Sequence, residues 1–191
     1  MAAASAPTIA VFARYPTPGE AKTRLIPALG PLRAAAVHAA LVAHTLAAVR
    51  ASGLPYAVHF TGADEAKVAA WLGPNVPLVA QPAGDLGQRL AAVPAPCLLI
   101  GSDCPGLTAA HLQAAAAIVA DGRPCIGPAE DGGYWLLGLP RPQPQLFTDI
   151  EWGSASVFAA THARLPEAAL LETLADLDRP EDLARWPQFL T

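Results

Sequence analysis

The stretch Pro96-Cys97-Leu98-Leu99-Ile100-Gly101-Ser102-Asp103-Cys104-Pro105-Gly106 decides how the chain is read. Four apolar residues in a row, from Cys97 to Ile100, suit a strand buried on both faces, as in the middle of a parallel sheet. Gly101 ends the run and an acid follows at once. Asp103 then lies just past the carboxyl end of a central strand, where open α/β sheets place their ligands. A carboxylate held there can grip a hard cation through oxygen. The alternative is that Asp103 caps the turn made by Pro105 and Gly106.

On both sides of this stretch the chain alternates short apolar runs with helical segments. Ile9-Ala10-Val11-Phe12, residues 56–60, residues 76–80 and residues 124–127 read as strands. Residues 32–50, 64–72 and 108–120 read as helices, with Gly30-Pro31 before the first and Gly53 after it. Thr108 is a natural N-cap, and Asp85 suits the cap of a helix beginning at Leu86. This alternation predicts an α/β fold with helices on both faces of a parallel sheet, in three layers. The 191 residues suit one domain spanning 1–191. With 53% hydrophobic and 15% charged residues the chain is globular rather than disordered.

A net charge of −4 gives no footprint for nucleic acid. Three cysteines, an odd number with no C-x-x-C pair, argue against a disulfide framework or a structural zinc site and fit a reducing cytoplasm. Residues 1–7 lack the basic and apolar regions of a signal peptide. No apolar run reads as long enough to span a bilayer.

Between the first strand and the first helix, Ala13-Arg14-Tyr15-Pro16-Thr17-Pro18-Gly19-Glu20-Ala21-Lys22-Thr23-Arg24-Leu25 reads as a loop. Arg14, Lys22 and Arg24 make it a basic cluster in an acidic protein. Such a cluster suits an oligophosphate, the arginines as bidentate forks and the lysine as a point charge. Otherwise it is a solvated surface loop. It contains neither a P-loop nor a dinucleotide fingerprint. Gly84 allows close approach of backbone to a ligand, and Arg89 could add a phosphate contact. His38 and His44, six apart on a helix, do not share a face and read as ordinary helix histidines.

Glu130-Asp131-Gly132-Gly133 is either a site where N–H groups and carboxylates face one ligand, or an Asp-Gly hairpin turn. Residues 170–174 read as a last strand ending in Asp176-Leu177-Asp178, whose two carboxylates would point to one side and suit a shared divalent metal. Asp178 with Glu181 also resembles a capping box for a final helix.

These motifs, in this order, resemble the nucleotide-diphospho-sugar transferase superfamily and its GT-A fold with a mostly parallel, mixed sheet. More narrowly they resemble the radical-SAM/selenodomain-associated transferase 1 family, itself similar to guanylyltransferases acting on 2-phospholactate or phosphoenolpyruvate. The resemblance rests on Phe12-Ala13-Arg14 with Pro18-Gly19-Glu20-Ala21-Lys22-Thr23-Arg24-Leu25, on Gly84 to Leu90, on Gly101-Ser102-Asp103-Cys104-Pro105, on Gly127 to Tyr134, and on Asp176-Leu177-Asp178 with Pro180 to Leu183. It implies a metal-dependent nucleotidyl or glycosyl transferase. Asp103, Asp176 and Asp178 would hold Mg²⁺ or Mn²⁺. Ala13, Arg14, Gly19, Lys22, Arg24, Gly84, Arg89 and Ser102 would hold the nucleotide. Glu130, Asp131, Gly132 and Gly133 would line the acceptor pocket, and Asp103, Lys22 and Asp131 would be the catalytic groups. The partners would be a nucleotide or nucleotide-sugar and a small acceptor, with a homo-oligomer left open.

Two positions depart from the family pattern. Cys104 stands where many relatives carry Asp, Asn, Ser or Thr, and His44 stands where many carry an acid. A rival reading is a nucleotide or phosphometabolite sensor without catalysis. A hydrolase using Ser102 or Cys104 lacks the G-x-S-x-G elbow. A phosphatase would carry its D-x-D after the first strand.

Overall fold

The computed structural model of the chain describes residues 6–190; residues 1–5, part of the N-terminal stretch read above, lie outside them. Twelve elements follow one another: β1 (Thr8–Arg14), α1 (Ile26–Ser52), β2 (Tyr56–Thr61), α2 (Glu65–Leu72), β3 (Leu78–Ala80), α3 (Leu86–Ala91), β4 (Cys97–Ile100), α4 (Ala109–Ala120), β5 (Cys125–Pro128), β6 (Tyr134–Leu139), α5 (Val157–Arg164) and β7 (Ala169–Leu170). Short 3₁₀ turns connect some of them.

The strands of the described residues form one sheet in the order β3-β2-β1-β4-β6-β5-β7. β1 pairs in parallel with β2 and β4, and β5 with β7; β6 runs antiparallel to both β4 and β5. The expected α/β architecture with a mostly parallel, mixed sheet is therefore present. Chain order reverses between β1 and β4, a switch point that opens a crevice at their carboxyl ends. All four residues of β4 are buried, as its apolar run requires. Leu98 and Ile100 face a core shared with Val42, Leu46 and Val49 of α1 and Leu112 of α4. Cys97 and Leu99 face the other layer, with Leu90 of α3 and Leu165.

Local signals set the helix ends. Asp64 caps α2 by accepting Lys67 N–H at 2.8 Å. Capping boxes start α3 (Asp85 with Gln88) and α4 (Thr108 with His111). α1 closes on Gly53 in the left-handed region, φ 71°.

Three expectations are corrected. The helical stretch Thr23–Ser52 is long and apolar enough by composition to cross a bilayer. Gly30 breaks it at φ 76°, ψ 163°, and Ala34, Val37, Leu41, Val42 and Leu46 are buried in the protein's own core. The last strand, expected over residues 170–174, is two residues long, with one further bridge from Leu174 to Ala129. Beyond this strand the pairing with β5 slips: Leu171 N–H reaches the Ile126 carbonyl at 2.9 Å and Leu174 N–H the Pro128 carbonyl at 3.1 Å, three steps along one segment against two along the other. Finally, Asp178 caps no helix. Asp182 does so, accepting the N–H groups of Arg179 at 2.7 Å and Asp178 at 3.0 Å at the head of the 3₁₀ turn Pro180–Arg185.

Candidate functional site

The basic loop begins where β1 ends. It folds back on itself through Thr17, whose carbonyl accepts Glu20 and Ala21 N–H at 3.0 and 3.2 Å. This sets Glu20 against Arg14 as an ion pair. Lys22 then takes a left-handed conformation, φ 48°, that turns its side chain inward. The side chain is only 4% exposed, and its Nζ lies 2.7 Å from Asp103 Oδ1 and 3.4 Å from Asp178 Oδ1. Arg24 pairs with the other oxygen of Asp178. All three cations of the loop are thus already paired with carboxylates of the protein.

Burial works to lower the proton affinity of Lys22, but attraction and hydrogen bonding to Asp103, then to Asp178, outweigh it and hold the ammonium above its ordinary range. The protein packed around Asp103 works to raise its carboxyl, although half of that side chain opens to the cavity, and the Lys22 charge and hydrogen bond reverse this, holding the carboxylate below its ordinary range. Beneath the loop, buried His38 places Nε2 2.8 Å from the Arg14 carbonyl oxygen. A carbonyl only accepts, so Nε2 carries the proton. Burial lowers the pKa of this imidazole, which favours its neutral form. His44 lies edge-on to Phe189.

A backbone bond brings the D-x-D segment to the end of β4. Leu177 N–H donates to the Asp103 carbonyl at 2.8 Å, and the Leu177 side chain is fully buried with Leu25, Leu41 and Phe189. The flanking Asp176 and Asp178 both line the same cavity as Asp103. Here an extended backbone outside any strand performs the alternation expected of one. Asp176 is half-buried; burial first, then the nearby Asp131 charge, raises its proton affinity. Among the described residues no ion pair reaches Asp131 or Asp176, and no three His, Cys, Asp or Glu side chains gather as a ready metal cluster. The positive charge between Asp103 and Asp178 is that of Lys22.

The cavity holds about 350 Å³ at the carboxyl ends of β1 and β4. Asp103, Asp131, Asp176, Asp178 and Arg24 line its polar part; Phe12, Leu86, Leu90, Leu99, Tyr134 and Trp152 belong to its apolar wall. A second cavity of about 160 Å³ is lined by Arg14, Glu20, Lys22 and His38 and shares Asp103 and Asp178 with the first.

The sequence-derived nucleotide residues are divided by this geometry. Arg24 lines the larger cavity, and Arg14 and Lys22 the smaller. Ala13 and Ser102 are buried. Gly19 sits in the turn with φ 89°. Gly84, φ 119°, lies against the Gln88 side chain of the capping box. Arg89 turns to Gln81 Oε1 at 3.3 Å, leaving its Nε buried without a partner. Of the hairpin turn, Asp131 and Gly133 line the cavity, and Asp131 Oδ1 accepts Gly133 N–H at 2.8 Å. Glu130 instead holds Arg185 at 2.7 and 3.2 Å, and that hydrogen bond lowers its proton affinity. Gly132 packs on the start of α5, its carbonyl accepting Phe158 N–H at 2.9 Å. Sequence reasoning passed over the apolar wall because Phe12, Leu99 and Tyr134 carry the same strand signal as core residues. Leu86 is exposed beside a helix cap, a fact of the tertiary structure that carries no signal of its own in the sequence.

A family described as "Uncharacterized protein conserved in bacteria (DUF2064)" matches residues 45–154, more than half of the chain. Among solved structures, a candidate nucleotide-diphospho-sugar transferase from Desulfovibrio desulfuricans G20 is 29% identical with a TM-score of 0.84, covering 95% of this chain and 87% of that one. Rv0371c from Mycobacterium tuberculosis H37Rv is 20% identical with a TM-score of 0.61, covering 97% and 99%. That protein has also been solved in complex with manganese. A CMP:2-keto-3-deoxy-manno-octonic acid synthetase complexed with CTP is 11% identical with a TM-score of 0.54, covering 95% and 96%. The last two likenesses are of fold. No protein of curated function matches the chain.

Proposed function

The chain belongs to the DUF2064 family, and we propose that it is a metal-dependent transferase moving a nucleotidyl or glycosyl group from an activated nucleotide to a small acceptor. It would act as one domain over residues 1–191, in a reducing cytoplasm that suits its three free, buried cysteines. The carrying observation is the cavity at the β1/β4 switch point, where four carboxylates meet the Lys22 and Arg24 charges. The manganese complex of Rv0371c and the CTP complex of the synthetase, two proteins of this fold, support the reading.

The donor set fits Mg²⁺ or Mn²⁺. Hard carboxylate oxygens suit these ions, and Mg²⁺ commonly takes one or two carboxylates with substrate phosphates and water rather than a full protein cage. Asp131 and Asp176, near each other without a paired cation, leave negative charge for an ion to offset. Asp103, Asp176 and Asp178 would hold it, and when bound it supplies positive charge against the leaving phosphate. Lys22 and Arg24 would stabilise the same charge from the protein side. The acceptor oxygen bonds to the transferred atom. The bond to the leaving phosphate oxygen breaks, and its electron pair departs on that oxygen. Asp131, at the cavity wall, would take the hydroxyl proton; Glu130 is held by Arg185 and lies outside the described lining.

Turnover of nucleoside triphosphates and nucleotide-sugars, with Mn²⁺ and with chelator, tests this. Asp103→Ala should lower kcat/KM about a hundredfold, on the order of 3 kcal/mol in the barrier. Full activity in the variant would refute the assignment. Nucleotide binding by calorimetry that is indifferent to metal, without turnover, would favour the sensor reading instead.

A further inference from the structure

We propose that the larger cavity receives the acceptor, and that this acceptor is an uncharged alcohol or phenol with an aromatic or branched aliphatic body. Naming the occupant an acceptor rests on the transferase reading above; the chemistry of the cavity does not.

Three observations carry it. First, the two cavities share Asp103 and Asp178 and diverge from them. The smaller, about 160 Å³, offers Arg14 and Lys22 to phosphate oxygens, which would compete for them with Glu20, Asp103 and Asp178 of the same lining. That leaves the larger, about 350 Å³, for a second molecule.

Second, the charges lining the larger cavity are unbalanced. Asp103, Asp131, Asp176 and Asp178 stand against Arg24. Lys22, just behind Asp103, leaves the count negative, and a divalent ion would bring it near neutral. Once the ion's charge is taken up by the donor's own phosphates, a phosphorylated or carboxylated acceptor would meet net negative charge here, with no second arginine to hold it. This departs from the phospho-acid acceptors of the guanylyltransferases that the sequence resembles.

Third, away from the acids the wall is apolar and aromatic: Phe12, Leu86, Leu90, Leu99, Tyr134 and Trp152. It is poorly equipped to read a nucleobase, whose polar edges need partners. The Trp135 Nε1–H is committed to the Glu172 carbonyl at 3.0 Å, and the Ser154 hydroxyl to Ser156 at 2.7 Å. An apolar body gains from leaving water at this wall, while its hydroxyl would lie toward Asp131.

Protein-observed NMR tests this without turnover. The probe is 2-phenylethanol, titrated into metal-free and nucleotide-free protein, and the readout is the Trp152 indole N–H, assigned with Trp152→Phe. A saturable shift of that signal is expected, with phosphoenolpyruvate causing none and failing to displace the probe. Val157→Trp, which fills the apolar end, should weaken probe binding at least tenfold and leave GTP–Mg²⁺ binding within twofold. Exposed Leu86→Asn, safe for folding, should weaken the probe several-fold. No shift with 2-phenylethanol, displacement by phosphoenolpyruvate, or a Val157→Trp effect on GTP in place of the probe would each overturn the inference. Loss of nucleotide turnover with the Trp152 shift intact would sink the transferase reading alone.

Discussion

Lys22→Met removes the ammonium that the two carboxylates share and keeps most of the side-chain volume. The wild-type Nζ lies 2.7 Å from Asp103 and 3.4 Å from Asp178, on a side chain 4% exposed. Breaking a fully buried pair by removing one partner costs about 3–5 kcal/mol. Here Asp103 is 52% exposed to the cavity, and Arg24 still neutralises Asp178. Solvent screening therefore brings the expected loss to about 2 kcal/mol, or roughly 4–8 °C in Tm for a chain of this size. Urea unfolding in chelator should show that loss at pH 7.

The pH dependence follows from the two shifts. Asp103 is depressed in the folded state, so its contribution is present above its unfolded value near ~3.9 and is lost as pH falls through the folded value. Lys22 is raised, so its contribution is full below its unfolded value near ~10.4 and is lost as pH rises through the folded value. The gap between wild type and variant should be widest between about pH 4 and pH 10, and close beyond both ends. A variant as stable as wild type at pH 7, or a loss of the same size at pH 2.5, would refute the electrostatic account.

Asp176→Asn should stabilise the metal-free protein at pH 7 by up to about 1 kcal/mol, measured by the same urea titration. The raised wild-type carboxyl favours the fold fully below its unfolded value, and that benefit is lost as pH rises through its folded value; the advantage of Asn should therefore vanish in acid. The same variant should lose the thermal shift that Mn²⁺ gives wild type. Gly132→Ala should cost a few kcal/mol, because φ is 89° and a Cβ there would lie 2.3 Å from the Ala155 carbonyl oxygen; thermal unfolding measures it, and an unchanged Tm would contradict the hairpin–α5 contact. Cys97 and Cys125, buried and pushed up to about 12 by that burial, should resist thiol reagents at pH 8 until the protein unfolds; rapid native labelling would contradict the packing.

The elements that sequence predicted best are those whose signal is local. The four buried residues of β4, the caps at Asp85 and Thr108, and Gly53 closing α1 each depend on residues within one turn or one strand. Residues 170–174 were harder. An apolar run predicts burial, but whether it joins a ladder depends on its partner, and here three steps from Leu171 to Leu174 span two of β5, from Ile126 to Pro128. Asp178 shows the same limit from the other side. Its local pattern reads as a cap, yet Asp182 takes that role and leaves Asp178 to Lys22 and Arg24, more than 150 positions away.

Sequence by itself determined the alternation of strands and helices, and with it the crevice beside Asp103. Hydrophobic period and turn chemistry act over a few residues, so they can be read one segment at a time. Tertiary structure alone decided how the charges are shared. The loop cations are paired with Glu20, Asp103 and Asp178, Glu130 is drawn to Arg185, and the space beside the acids is walled with aromatic and aliphatic side chains. Coulomb attraction and desolvation depend on distance through space and on exposure, and spacing along the chain encodes neither.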